Sequence, residues 1–194
     1  MILVGVVGGG LAITHATDTD WLTHMSLSGL GLDTGASGIL NGTLVALGLI
    51  LVALAISLEG SFAGLCSAAR LSPHVHRLLT AGFIAAGGAV MVAGLFHNDG
   101  QPSHLIHSLA SFAAPMALVA TILGGRLAVG ALGRHFDRAS VAILVSCVGL
   151  FFAAYLGHLL PYALMELICF GLIGAWIWLF EARLQHVLGQ ILTE

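Results

Sequence analysis

The sequence contains no lysine at all, and only 8% of its 194 residues are charged, where an ordinary soluble domain has roughly 25%. All six basic residues are arginine, and they face nine acids for a formal charge of −3. Such a chain offers no broad cationic surface, which excludes nucleic acid as a partner. Cysteine is scarce too. Cys66, Cys147 and Cys169 are odd in number, lack CxxC spacing and fall in or beside apolar segments, so they read as small packing residues rather than a disulfide or metal framework. No Walker-type loop, nucleophile elbow or HExxH signature is present, and neither an inverted repeat nor a pair of broken helices points to a transporter. Without repeats or low-complexity linkers, residues 1–194 read as a single domain.

What the chain has in abundance is apolar surface. Hydrophobic residues make up 58% and the mean hydropathy is +1.03. A water-soluble core of this size could not bury so much. The apolar residues come in runs, such as Leu78 to Phe96 and Tyr162 to Phe180, close to the ~20 residues that cross a hydrocarbon layer of about 30 Å. Six segments can be drawn, at 1–16, 36–58, 78–96, 105–125, 140–157 and 162–182. The first lacks the positive n-region of a signal peptide and reads as a short membrane helix. The fold class expected is therefore all-α: a polytopic bundle of about six transmembrane helices.

Topology follows from the arginines. Arg70, Arg77, Arg126, Arg134, Arg138 and Arg183 all fall on alternate connections and the tail, whereas Asp18, Asp20, Asp33 and Asp99 fall on the others. The positive-inside rule makes the arginine side cytoplasmic and, with an even number of spans, both termini as well. A multi-pass protein of the bacterial cytoplasmic membrane is expected. Trp176, Trp178 and Phe180, just ahead of Arg183, read as anchors at the inner interface. Gly38 and Gly42 in the second span, and Gly82, Ala85, Ala86 and Ala89 in the third, are expected to allow close helix approach. Pro115 is expected to release the carbonyl of Ser111 and bend the fourth span.

Ten histidines are many for this length, and six of them, His15, His24, His97, His104, His107 and His158, sit toward the outer side. His104 and His107 are spaced i, i+3, which places both on one helical face. Imidazole and carboxylate are ligands of zinc and similar ions, so His97, Asp99, His104, His107 and His158 are candidates for a divalent metal at the outer face. Deeper polar groups in lipid need partners. Asn41, Ser111, Tyr155, His158 and Glu166 lie at similar depth, and the outer ends of the spans are expected to converge on one polar chamber containing Asn41, His107, His158 and Glu166. The other reading of Glu166 is an acid favoured by the first turn of its helix.

The stretches Trp21 to Gly31, Ile39-Leu40-Asn41-Gly42-Thr43-Leu44 and Gly94-Leu95-Phe96-His97-Asn98-Asp99, followed by His107, resemble the bacterial membrane family called domain of unknown function 998. The resemblance covers nearly the whole chain through short motifs. It implies a six-helix bundle with outward polar turns, matches Asn41, Asp99 and His107 to positions of the family pattern, and matches Glu166 to an acid in its last span. His97 stands where that family often has proline, and Leu167 stands where arginine is usual. The family carries no established reaction.

Three functions are compatible with these residues. The first is a non-enzymatic accessory subunit that binds membrane lipids or other membrane subunits. The second is a metal-dependent membrane enzyme of hydrolase type, with Glu166 or Asp99 as general base. The third is a haem or pigment subunit with histidine axial ligands.

Overall fold

The computed structural model describes residues 2–16, 35–68, 71–96, 102–128 and 132–191. Among these there are six long helices and no strand: α1 (Ile2–His15), α2 (Ser37–Ser67), α3 (Pro73–Leu95), α4 (Ser103–Leu127), α5 (Arg134–Tyr155) and α6 (Tyr162–Ile191). Five of them, α2 to α6, are long and apolar enough to cross a membrane, which is consistent with an integral membrane protein. With 14 residues, α1 reaches only about 21 Å at 1.5 Å per residue.

Several helices run past the apolar runs that foreshadow them. The second segment was expected to end at 58, yet α2 continues to Ser67; α6 continues to Ile191 rather than 182. Hydropathy tracks contact with lipid, whereas the helix persists as long as its backbone bonds and packing do. Where helices begin, local chemistry is visible. Ser72 caps α3 by accepting from the His74 N–H at 3.3 Å, and Pro73 occupies the first turn, where its missing donor costs nothing. Ahead of α5, Gly133 adopts φ +89° and ψ 159°, a region essentially confined to glycine.

Helices α2, α3, α4, α5 and α6 close a ring in that order, since α6 returns to touch α2, while α1 lies outside against α2. The pairing of α2 with α3 has a regular antiparallel register. A Cβ on Gly94 would lie 2.7 Å from the carbonyl oxygen of Asn41, and one on Gly48 would lie 2.5 Å from that of Gly87. Seven residues along α2 therefore match seven back along α3. The same register brings Glu59 to His76 at 2.9 Å. In lipid, where apolar side chains gain little by leaving their solvent, such backbone approach supplies the packing.

This corrects the contact expected at Gly38 and Gly42. No atom comes within 4 Å of a Cβ built on either, because both turn away from the neighbouring helices and Gly48 occupies the crossing instead. On the third helix, Gly82 meets the Thr121 side chain of α4 and Ala86 is fully buried, but Ala85 is exposed. Helix α1 docks by Gly8 against Thr43 and by Gly5 near Leu47, and α4 runs through Pro115 without a break.

The core lies toward the arginine end of the bundle. Phe62, Phe83, Phe136, Trp176 and Phe180 are each at most 1% exposed and pack with ring centroids 5.3 to 6.3 Å apart. Trp176 Nε1 donates to Ser140 Oγ at 2.8 Å, and that hydroxyl donates to the Phe136 carbonyl at 2.9 Å. Trp176 and Phe180 are thus the centre of the bundle rather than interfacial anchors. They lie four residues apart on one face, while Trp178, two residues on, points outward and is 65% exposed.

The exterior is apolar all round. Ile56 on α2, Ile84 on α3, Leu109 and Phe112 on α4, Val145 and Phe152 on α5, and Phe170 on α6 are all exposed. Polar ties collect at the arginine end: Arg126 Nε meets Asp137 Oδ1 at 2.7 Å, and Arg183 donates through Nε and Nη2 to the Leu132 carbonyl at 3.2 and 3.1 Å.

Candidate functional site

At the other end of the bundle, three carbonyl and amide groups converge around the last turn of α3. His107, one turn into α4, is 4% exposed. Its Nδ1 lies 2.8 Å from the Ala93 carbonyl oxygen and 2.9 Å from that of Phe96. Carbonyl oxygens only accept, so Nδ1 carries the hydrogen, and in the neutral ring Nε2 is the bare nitrogen. That nitrogen is buried and has no hydrogen-bond partner.

Asn41 approaches the same turn from α2. Its carbonyl oxygen packs on Gly94, the residue after Ala93. The side chain is 5% exposed, and its Nδ2 is also buried without a partner. A buried acceptor and a buried donor are therefore both left open at this end of the bundle. Buried polar atoms of this kind are rare in native structures, and each calls for a partner such as water, an ion or a ligand.

The other expected members distribute unevenly. His104 is exposed although it shares the α4 face proposed for His107, because the His107 ring turns inward to the α3 carbonyls while the residue three positions earlier stands beyond the end of α3. Ser111, one turn deeper than His107, is half-buried. Glu166 is half-buried on α6 and has an interaction partner; its neighbours Ala163 and Leu167 pack with Leu40, Ala36 and Ala12. Thus α6 reaches the α1–α2 side of this end.

Tyr155 and His158 are not drawn into it. Tyr155 is 51% exposed, stacked on Phe151 at 4.5 Å and edge-on to Tyr162 at 4.9 Å. His158 is exposed with φ 48° and serves the chain reversal after α5, where the Leu159 N–H donates to the Ala153 carbonyl at 2.9 Å. His97 and Asp99 lie outside the described residues. Among the described residues, no group of three or more histidine, cysteine, aspartate or glutamate side chains is placed to hold a metal ion.

A second polar cluster, not singled out by sequence reasoning, occupies the arginine end. Glu59 Oε1 lies 2.9 Å from His76 Nε2 and Oε2 accepts from Thr80 Oγ1 at 3.0 Å. His76 Nδ1 lies 3.9 Å from Cys66 Sγ. A sequence signal existed: Glu59 and Cys66 are seven residues apart on one face of α2. The helix continuing past its apolar run was needed to make use of it.

No family model, no curated protein and no solved structure matches this chain.

Proposed function

We propose that the chain is a multi-pass protein of the bacterial cytoplasmic membrane, with its arginine end and both termini inside, acting as a non-enzymatic subunit that binds a membrane lipid or partner at its outer end. The observation that carries this reading is the pair of open, buried polar atoms, His107 Nε2 and Asn41 Nδ2. One accepts and the other donates, so each suits a hydroxyl-bearing head group, whose hydroxyls do both. Asn41 and His107 are also two of the positions that the family resemblance picks out.

The surroundings support an amphiphile over a freely diffusing solute. Leu95, Leu105 and Leu109, which flank this turn on α3 and α4, are exposed apolar side chains of the kind that face acyl chains. A head group would sit at the histidine while its chains lie along α4.

Native mass spectrometry of the chain, released from membranes in mild detergent, tests this. A retained lipid on the wild type, lost in His107→Phe and Asn41→Leu at unchanged helix content, is the expected result. Stoichiometric zinc, copper or iron, or a strong visible absorption band, would replace the reading with the metal or haem alternative.

A further inference from the structure

The inner cluster has the order of a nucleophile, a base and an orienting acid. Carboxylate oxygen faces His76 Nε2 at 2.9 Å, so that nitrogen carries the hydrogen, and in the neutral ring Nδ1 presents its lone pair. Nδ1 is the atom 3.9 Å from Cys66 Sγ, and in that tautomer it is the acceptor available to the thiol hydrogen. Such contacts are often long in resting sites and tighten when substrate arrives. The imidazole is held on its other sides as well: Phe62 packs on it with centroids 5.5 Å apart, and Thr80 fixes the second oxygen of Glu59 at 3.0 Å. Because the imidazole stands between thiol and carboxylate, the three do not surround a common point as metal ligands would. The arrangement suits proton relay.

Its position favours one kind of substrate. The apolar run of α2 ends at Glu59, and eight further residues carry the helix to Ser67, about 12 Å beyond at 1.5 Å per residue. On the membrane reading this puts Cys66, half-buried, near head-group level, at the same end of the bundle as Arg77, Arg134 and Arg183. An anionic amphiphile whose reactive carbonyl lies at the water boundary and whose chain lies in lipid matches this setting.

We propose that Cys66 is an acyl-accepting nucleophile that takes a long-chain acyl group from an anionic acyl thioester, with His76 as its base and Glu59 as a positioning residue. The inference rests on the membrane reading above for its location. In the step, the Cys66 proton passes to His76 Nδ1 as Sγ attacks the thioester carbonyl. The new carbon–sulfur bond to Cys66 forms, the bond to the donor sulfur breaks, and His76 returns the proton to the departing thiolate. One thioester is exchanged for another, with no change of oxidation state. The acylated thiol would fasten the inner end of α2 to the bilayer.

Purified full-length chain in detergent, incubated with palmitoyl-coenzyme A and followed by intact mass, tests the proposal. The expected result is a single acyl adduct, released by neutral hydroxylamine, absent in Cys66→Ser and present in a Cys147→Ala, Cys169→Ala double variant. His76→Ala should slow its formation by on the order of 10²-fold, and added imidazole should restore part of the rate, which a merely structural histidine would not allow. Glu59→Gln, at a side chain 52% exposed and therefore easily accommodated, should also slow it, and Glu59→Asp should recover part of the loss. No adduct, an adduct confined to Cys147 or Cys169, or wild-type rates in both His76→Ala and Glu59→Gln would overturn the proposal. Detergent opens both ends of the bundle, so a negative result here leaves the membrane orientation and the outer site standing.

Discussion

Gly48 and Gly87 meet backbone to backbone: a Cβ on the first would lie 2.5 Å from the carbonyl oxygen of the second, and one on the second 2.7 Å from that of the first. Neither backbone can yield without moving a whole helix. Gly48→Val should therefore cost about 1–3 kcal/mol through overpacking, seen as a lower melting temperature in detergent. Gly42→Val, on an exposed face with open space around it, should change stability by less than about 0.5 kcal/mol beyond its helix-propensity effect. Equal losses at the two positions would place the crossing elsewhere.

Trp176 and Ser140 should prove energetically coupled. Ser140→Ala removes the acceptor 2.8 Å from the indole N–H and leaves a buried donor open, at a cost of about 1–3 kcal/mol. In a Trp176→Phe background the same change should cost much less, since no donor remains to be satisfied. A double-mutant cycle reads the difference directly; additive losses would mean that the bond contributes nothing.

These residues also show what a sequence can and cannot announce. Spans were legible because lipid imposes long apolar runs, and the five membrane-length helices fall where those runs lie. Azimuth was not legible. Trp176 and Trp178 share a depth and differ by two residues, yet one is the centre of the core and the other faces outward, and a GxxxG spacing at Gly38 and Gly42 says nothing about which way it points. The candidate site has the same character: depth grouped Asn41, His107, Ser111, Tyr155, His158 and Glu166, but only Asn41 and His107 are buried, while Ser111 and Glu166 are half-buried and Tyr155 and His158 exposed. Glu59 escaped notice and Cys66 was read as a packing residue because hydropathy ends at Glu59, whereas the helix does not.

Gly133→Ala should be costly out of proportion to its size. At φ +89° and ψ 159° a side chain is strained by about 1–3 kcal/mol, and its Cβ would also approach Arg183 Nη2 at 3.1 Å, disturbing the bonds from Arg183 to the Leu132 carbonyl. Thermal denaturation should show the loss, and Arg183→Leu should overlap with it rather than add to it. A neutral Gly133→Ala would contradict this account of the turn.

His158→Gly should raise stability by up to about 1 kcal/mol, because φ 48° suits glycine better than a residue with a Cβ. It should leave lipid retention at the outer site untouched. A variant that melts higher but no longer holds its lipid would show that the imidazole belongs to the site after all.

The most direct test of the membrane architecture is cysteine labelling in intact cells, with Cys66, Cys147 and Cys169 replaced by alanine. Asp99→Cys, on the connection between α3 and α4, should react with an impermeant maleimide. Arg134→Cys, at the start of α5, should react only once the membrane is permeabilised, because α4 separates the two positions by one crossing. Equal labelling of both in intact cells would contradict the crossing, and the reverse pattern would invert the bundle.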